Sequence, residues 1–156
     1  MAEKSFLFVC TGNTCRSPMA EELFRQAISR KLGCSPTELK QHGFSVASAG
    51  LAAGRQYPAS PESVEVMANM GFDISGHGSQ PLTAELLDKF DSVYTMTANH
   101  RDAILKARPD AADTVQMLSN NGYDIADPIG GGMNDYVACC EEIEHYINVI
   151  IEKTEA

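Results

Sequence analysis

The sequence predicts an α/β fold, a parallel β-sheet with helices on both faces. Short apolar runs typical of buried strands alternate along the chain with longer segments of helical period. Strands that alternate with helices form parallel sheets, because each connecting helix packs back onto the sheet. The 156 residues, 44% of them hydrophobic, suffice for one sizeable core. We therefore expect a single domain over residues 1–156.

Nine secondary-structure elements are expected along the chain. The four strands cover residues 5–9, 44–49, 92–96 and 114–117. The five helices cover residues 18–32, 61–70, 83–90, 99–107 and 135–153. The last helix carries apolar side chains at three- and four-residue spacing, which indicates a buried face: Tyr136, Cys140, Ile143, Ile147 and Ile150. Turn-forming residues at 120–122 and 130–132 bound a loop before that helix.

The first strand leads into a polar loop, Cys-Thr-Gly-Asn-Thr-Cys-Arg-Ser over residues 10–17, and then into a helix. Five residues separate Cys10 from Arg16, enough for successive backbone N–H groups to point inward and form an anion-binding nest. The helix N-terminus and the guanidinium fork of Arg16 add further donors for an oxyanion. Gly12 and Asn13 tolerate the left-handed backbone that such a loop needs, and Pro18 suits the first helical turn.

A thiol at the start of an anion cradle predicts a nucleophile. The helix N-terminus and Arg16 favour the thiolate form of Cys10, and a thiolate can attack phosphorus to give a phosphocysteine. The cradle would hold the three equatorial oxygens as charge shifts in the transition state. A cysteine at a strand end is alternatively a small buried hydrophobe. The strand before the loop, Gly-Asn within it and Ser-Pro after it argue against that alternative.

The segment CTGNTCRSPMAE resembles the low-molecular-weight protein tyrosine phosphatase family. The resemblance continues in order through Ser-Ala-Gly at 48–50, Gly-His-Gly-Ser-Gln-Pro-Leu at 76–82 and Asp-Pro at 127–128. It implies a doubly wound, four-stranded parallel sheet in a single domain and a reaction that needs no cofactor. It also implies that Cys10 is the nucleophile, Arg16 the phosphate clamp and Asp127 the general acid.

The same resemblance implies supporting roles around the phosphate-binding loop. Ser17 would donate a hydrogen bond to the sulfur, and Asn13, Ser48 and His77 would hold the loop in its shape. The rest of the loop would complete the phosphate site: Thr11, Gly12, Thr14 and Cys15. Two alternatives stay open, since His77 between glycines can be a solvated loop residue and Ser48 can cap a turn.

Asp127 precedes Pro128, and the ring keeps the residue before it extended, so that its carboxyl can project from the loop. A positioned carboxylic acid protonates a leaving group and accelerates such reactions by about 100- to 10,000-fold. The alternative is that Asp-Pro-x-Gly is only turn chemistry.

Two positions bear on which phosphorylated residue is the substrate. Thr14 stands where the eukaryotic tyrosine phosphatases of the family have Ile or Leu, and Ile129-Gly130 replaces their two tyrosines. A phosphotyrosine ring needs apolar and aromatic walls, which both changes weaken. The CTGNTCR loop resembles that of bacterial protein arginine phosphatases, which implies that Thr14 selects phosphoarginine and that Asp127 faces the guanidinium.

Phosphoarginine is therefore expected ahead of phosphotyrosine. Ile129 replaces the Phe of the arginine phosphatases, and three tyrosines are candidates for the missing wall: Tyr57, Tyr123 and Tyr136. The alternative is that Thr14 changes packing only.

The other cysteines support several expectations. The family resemblance makes Cys15 a redox candidate that forms a reversible disulfide with Cys10, and the alternative is a buried side chain. Cys139 and Cys140 are expected to be packing residues, and Cys34 an exposed thiol. An odd number of cysteines, a catalytic thiolate and the absence of an apolar run long enough for a leader or membrane span favour a cytoplasmic protein.

Composition excludes several function classes. A net charge of −9 and a pI near 4.8 argue against nucleic acid and anionic membranes as partners. The expected partners are a phosphorylated protein and, in the loop, inorganic phosphate or another oxyanion, and we expect a monomer. The four histidines are scattered, which predicts no metal site.

The sequence disfavours two rival functions. A thiol-dependent arsenate reductase would need further cysteines near residues 76–81, and none lies between Cys34 and Cys139. A non-catalytic anion-binding module would lack the nucleophile or the acid, and both are present.

Overall fold

The computed structural model describes residues 4–154 and confirms the predicted fold class. Four parallel strands form one sheet in the order β2-β1-β3-β4. Their bounds are Lys4–Cys10 (β1), Phe44–Gly50 (β2), Ser92–Thr95 (β3) and Val115–Met117 (β4). Each lies within one residue of its predicted bounds at either end. The order places β1 in the centre, so that the residue ending it, Cys10, lies at the middle of the carboxyl edge.

Five helices connect and cover the strands: α1 (Arg16–Leu32), α2 (Pro61–Asn69), α3 (Ala84–Lys89), α4 (Ala98–Ala107) and α5 (Met133–Lys153). Two short 3-10 helices, Pro36–His42 and Pro109–Ala111, were not predicted from the sequence. Helices α1, α2 and α5 pack on one face of the sheet, and α3 and α4 on the other. Within residues 4–154, no helix combines the length and apolar character needed to cross a bilayer.

Strand β1 is buried on both faces, which explains its continuous apolar run. Phe6 and Phe8 face the core under α1 and α5, where Phe24 lies 4.5 and 5.5 Å from their ring centroids. Leu7 and Val9 face the second core under α3 and α4. Successive side chains of β1 alternate between the two cores, which is why every position from Phe6 to Val9 is apolar. Cys10 follows directly and belongs to the same core as Phe6 and Phe8.

Two helices begin two residues earlier than predicted. Helix α1 starts at Arg16 rather than residue 18, because the end of the polar loop is already helical. Pro18 is its third residue, where a missing N–H leaves no hydrogen bond unmade. Helix α5 starts at Met133 rather than residue 135, and the Asp135 carboxylate accepts a hydrogen bond from Gly132 N at 3.0 Å.

The apolar stripe of α5 is shifted at its end. Ile150 is only half-buried, and Ile151 takes the last core position. Cys139 and Cys140 are both buried, as expected of packing residues. The prediction of an exposed Cys34 is wrong, since that side chain is half-buried and packs against the core at the end of α1.

Gly50, the last residue of β2, allows the strand to approach the polar loop backbone to backbone. A Cβ at this position would lie 2.5 Å from the carbonyl oxygen of Thr11 and 2.9 Å from the amide nitrogen of Asn13. The next two amides after it donate to the carbonyls of Cys10 and Thr11, at 3.0 and 2.9 Å. Backbone hydrogen bonds therefore hold the loop against the end of β2, and the two backbones are so close at Gly50 that only glycine fits there.

Replacing Gly50 by alanine should destabilise the protein. The added methyl group overlaps backbone atoms that cannot rotate away, and overpacking of this kind costs about 1–3 kcal/mol. The midpoint of urea unfolding measures the change. Gly76→Ala is the matched control, because a Cβ there meets no atom within 4 Å. Equal midpoints for both variants would contradict the close approach.

Candidate active site

The candidate site lies at the carboxyl edge of the sheet, where β1 ends and α1 begins. Ligands of open parallel sheets bind at this edge. Cys10 is 2% exposed, and its sulfur lies 3.0 Å from the Ser17 hydroxyl in the first turn of α1. Residues 11–15 form the loop between them, with N–H groups of a helix N-terminus at its end. The arrangement has the form of the predicted anion cradle.

Asn13 occupies the left-handed region of the backbone, with a φ of 57°, and its side chain is fully buried. Its amide nitrogen donates to Ser17 Oγ at 2.8 Å and to Ser48 Oγ at 2.9 Å, and its amide oxygen accepts from Gln80 N at 3.0 Å. These bonds hold a conformation that is unfavourable for a residue with a Cβ. Gly12 does not share the left-handed conformation predicted for it.

The carbonyl oxygen of Asn13 accepts a hydrogen bond from His77 Nε2 at 2.7 Å. A carbonyl only accepts, so that imidazole nitrogen carries a proton. His77 is half-buried and in contact with the loop, which is not the position of a solvated loop residue. Ser48 is likewise buried and donates to Glu21 Oε1 at 2.6 Å, and is not a turn cap.

Two residues of this network, Gln80 and Glu21, were not predicted as site residues from the sequence. Gln80 binds the loop through its backbone amide and binds the Ser48 carbonyl through its side chain, at 2.9 Å. Glu21 receives the Ser48 hydroxyl and also forms an ion pair with Arg25, one helical turn later. Both lie inside the motifs quoted above, GHGSQPL and CRSPMAE, which were the available signal.

The direction of the Ser17 hydroxyl follows from its partners. Its oxygen already accepts a hydrogen bond from the Asn13 amide, which leaves its own O–H to donate to the Cys10 sulfur. A hydroxyl that donates to sulfur stabilises a thiolate.

Arg16 is 3% exposed and held at two of its three nitrogens. Nη1 donates to the carbonyl oxygen of Ile125 at 2.8 Å, and Nη2 lies 3.4 Å from Asp127 Oδ2. Among the atoms of residues 4–154, the buried Nε has no hydrogen-bond partner. An unpaired buried donor is unfavourable, and an oxyanion in the adjacent loop would satisfy it.

Asp127 takes part in a turn and also faces the site, so the turn interpretation and the general-acid interpretation are compatible. One carboxylate oxygen accepts from Ile129 N at 3.1 Å, which is a turn-forming bond. The other oxygen faces Arg16. Its side chain is 40% exposed, so the carboxyl is accessible from the mouth of the loop. The turn thus fixes the position of the carboxyl through one oxygen and leaves the other oxygen facing Arg16.

Thr14 is half-buried, and within residues 4–154 its hydroxyl makes only one weak contact, to the sulfur of Cys15 at 3.9 Å. A Cβ added to Gly12 would lie 3.6 Å from this hydroxyl, so the hydroxyl lies close to Gly12 of the same loop. The Thr14 hydroxyl is therefore largely free to bind a ligand.

Cys15 lies at the back of the loop, with its sulfur 3.6 Å from both Ser60 Oγ and Tyr136 Oη. Burial, and then its bond to Cys15, raise the pKa of Tyr136 to about 12. Tyr136 is 2% exposed, so it is not available as a wall at the entrance of the site, whereas the side chains of Tyr57, Tyr123 and Ile129 are exposed to solvent. All five cysteines are free, and the pairing of Cys15 with Cys10 stays a prediction.

No group of three or more His, Cys, Asp or Glu side chains within residues 4–154 is arranged to hold a metal ion. The loop residues, by contrast, are suited to an oxyanion, since the helix N-terminus and Arg16 both present N–H groups there.

The family model described as low molecular weight phosphotyrosine protein phosphatase matches residues 5–155. A protein of Ralstonia nicotianae, described as a probable low molecular weight protein-tyrosine-phosphatase EpsP, is 35% identical over 154 residues, and the match covers 98% of this chain and 97% of that one. The protein-arginine-phosphatase of Geobacillus stearothermophilus is 38% identical over 154 residues, covering 96% and 95%.

A solved structure of the arginine phosphatase YwlE has a TM-score of 0.84 to this chain at 33% identity, covering 96% of this chain and 94% of that one. It is a cysteine-to-serine mutant with a phosphorylated active-site serine. The matches span nearly the whole chain in sequence and in fold. The chain belongs to the low-molecular-weight phosphotyrosine protein phosphatase family and is a cysteine-based phosphatase.

Proposed function

We propose that residues 1–156 form one phosphatase domain that hydrolyses phosphoarginine in proteins, with Cys10 as nucleophile. The observation that carries this choice is the Thr14 hydroxyl, which has only one weak partner within residues 4–154 and lies in the loop that leads to Arg16, the residue that faces the Asp127 carboxyl. The relatives named above include both a tyrosine and an arginine phosphatase at nearly equal identity. The selectivity is therefore argued from the residues of this chain.

In the first step the Cys10 thiolate attacks phosphorus. The S–P bond forms as the P–N bond breaks, and the electron pair of that bond goes to the departing guanidinium nitrogen. Asp127, in its protonated form, gives this nitrogen a proton. The loop amides and Arg16, including its unpaired Nε, bind the equatorial oxygens. The phosphorylated serine in the YwlE mutant supports an intermediate at this position.

In the second step water hydrolyses the phosphocysteine. The Asp127 carboxylate takes a proton from the water as its oxygen bonds to phosphorus. The S–P bond breaks, phosphate leaves, and the thiolate is restored. The Ser17 hydroxyl stabilises the thiolate at the start and as the leaving group, because its proton is directed at the sulfur.

Selectivity for arginine follows from the chemistry of the group that leaves. A guanidinium carries several N–H donors in a plane, and burying them unpaired is unfavourable. The Thr14 hydroxyl and the Asp127 carboxyl are acceptors suited to them. An aliphatic side chain at position 14 would offer no acceptor and would instead pack against an aromatic ring.

Phosphotyrosine is the second candidate. The exposed side chains of Tyr57, Tyr123 and Ile129, between 62% and 72% accessible, are the observation in its favour, because they are available to cover a ring.

The cellular setting is proposed on chemical grounds. A catalytic thiolate and free cysteines suit a reducing compartment, and we place the protein in the cytoplasm as a monomer. Inorganic phosphate and related oxyanions should bind the loop as product and inhibitors.

Replacing Cys10 by serine should abolish turnover. Loss of a catalytic nucleophile lowers kcat by about 10,000-fold or more. Phosphate release from a phosphorylated protein measures the loss, and mass spectrometry of the intact variant detects any trapped phosphoserine. Cys34→Ser is the matched control, since Cys34 lies in the turn after α1, outside the loop. Normal turnover by Cys10→Ser would rule out the covalent route.

Replacing Asp127 by asparagine should slow reactions with poor leaving groups most. A guanidine needs a proton to depart, and the loss should be about 100- to 10,000-fold, whereas a nitrophenyl phosphate should be affected much less. Comparison of kcat on the two substrates tests this. Asp135→Asn is the control, because the amide oxygen can still accept from Gly132 N. An equal loss on both substrates would exclude Asp127 as the acid.

Replacing Thr14 by isoleucine should lower the ratio of kcat/KM for phosphoarginine to that for phosphotyrosine by about 10-fold or more. A hydrogen bond to a charged group contributes about 1.5–3 kcal/mol, and every 1.4 kcal/mol is about tenfold. Thr14→Ser keeps the hydroxyl and should keep the ratio. A wild-type preference for phosphotyrosine that Thr14→Ile leaves unchanged would identify a tyrosine phosphatase.

A further inference from the structure

A hydrogen bond at the mouth of the loop joins the residue after the nucleophile to α4. Thr11 is exposed, and its hydroxyl lies 2.9 Å from Nε2 of His100. His100 is in the first turn of α4, where its backbone amide donates to the Thr97 hydroxyl, and it is only 7% exposed. The reaction steps above assign no role to either Thr11 or His100.

The imidazole of His100 is expected to be neutral at physiological pH. Burial, and then the Arg16 guanidinium, lower the pKa of His100 from its ordinary value, and Asp124 and Asp127 oppose this to a smaller extent. A neutral imidazole carries one proton, on either of its two nitrogens.

The surroundings of the ring decide which nitrogen carries that proton. Nδ1 is buried and has no partner among the described residues. A proton on Nδ1 would leave a buried donor unpaired, whereas a bare Nδ1 leaves only an acceptor, which is better tolerated. The proton therefore resides on Nε2, and His100 donates to the Thr11 oxygen.

This donor direction leaves the proton of the Thr11 hydroxyl without an acceptor in the described part of the chain. We propose that His100 is a positioning residue that turns the Thr11 hydroxyl proton toward the mouth of the site, where it binds an oxygen of the substrate. The acceptor is either a phosphoryl oxygen or a carbonyl oxygen of the peptide that bears the phosphorylated residue. The inference rests on the proposed role of Cys10 but not on which residue is dephosphorylated.

The first test removes only the hydroxyl. Thr11→Val keeps the shape of the side chain and should raise KM for a phosphopeptide by about 5- to 10-fold, the effect of one lost hydrogen bond, with a much smaller change in kcat. Thr11→Ser keeps the hydroxyl and should resemble the wild type. If the inhibition constant of inorganic phosphate rises in parallel, the acceptor is a phosphoryl oxygen. If only the peptide KM rises, it is a peptide oxygen.

The second test examines the link between the two residues. His100→Leu should raise KM as Thr11→Val does, and the double variant should be no weaker than Thr11→Val alone, because both remove one interaction. His100→Gln places an N–H near the position of Nε2 and should restore the KM. Asn99→Ala, exposed in the same turn of α4, is the control for helix effects.

The outcomes separate this inference from the proposed function. Unchanged KM and phosphate inhibition in Thr11→Val, with Cys10→Ser inactive, would overturn only the role of the Thr11–His100 pair. Additive effects of Thr11→Val and His100→Leu would also overturn it. An active Cys10→Ser in the same assay would instead remove the proposed function on which the inference rests.

Discussion

The site depends on one residue held in an unfavourable backbone conformation, Asn13. Its side chain uses both amide protons and its oxygen, and its carbonyl is bound as well, so every polar group of the side chain is engaged. An asparagine supplies both donors and an acceptor in one plane, which a serine or aspartate does not. These bonds curve the loop around the position where an oxyanion binds.

The network behind Asn13 links the loop to three separate parts of the chain. Ser48 at the end of β2, the segment with His77 and Gln80, and the first turns of α1 all converge on it. Gly50 makes the convergence possible, because it allows two backbones to approach within a distance that excludes a side chain. The shape of the cradle is therefore a property of the whole carboxyl edge, and not of the eight-residue motif alone.

The fold and the nucleophile could be predicted from local sequence. The buried run before Cys10, the spacing to Arg16 and the Gly-Asn pair are adjacent in the chain, and local pattern is sufficient to recognise them. Helix starts were misplaced by up to two residues, because the polar loop passes into α1 without a break at Pro18.

The long-range contacts that hold the loop and its entrance in place could not be predicted from local sequence pattern. Ser48 and Gln80 meet Asn13 across 35 and 67 residues, and His100 meets Thr11 across 89. Such pairings depend on the order of strands in the sheet and on how α4 packs on one of its faces. The phosphatase resemblance led to Ser48 and His77, whereas the contacts of Glu21, Gln80 and His100 are given only by the three-dimensional arrangement.

The central position of β1 has a consequence for how the enzyme loses activity. Cys10 ends a strand that is paired on both sides and buried on both faces, so its surroundings belong to the part of the fold expected to open last. Asp127 lies on a largely exposed loop, residues 118–132, outside regular structure, and such segments open locally at much lower free energy. Mild heat or denaturant should therefore produce a state in which Cys10 keeps its folded surroundings but Asp127 has left the site, so that both formation and hydrolysis of the phosphocysteine are slow. Loss of the catalytic cycle and loss of the fold would then be two separate transitions.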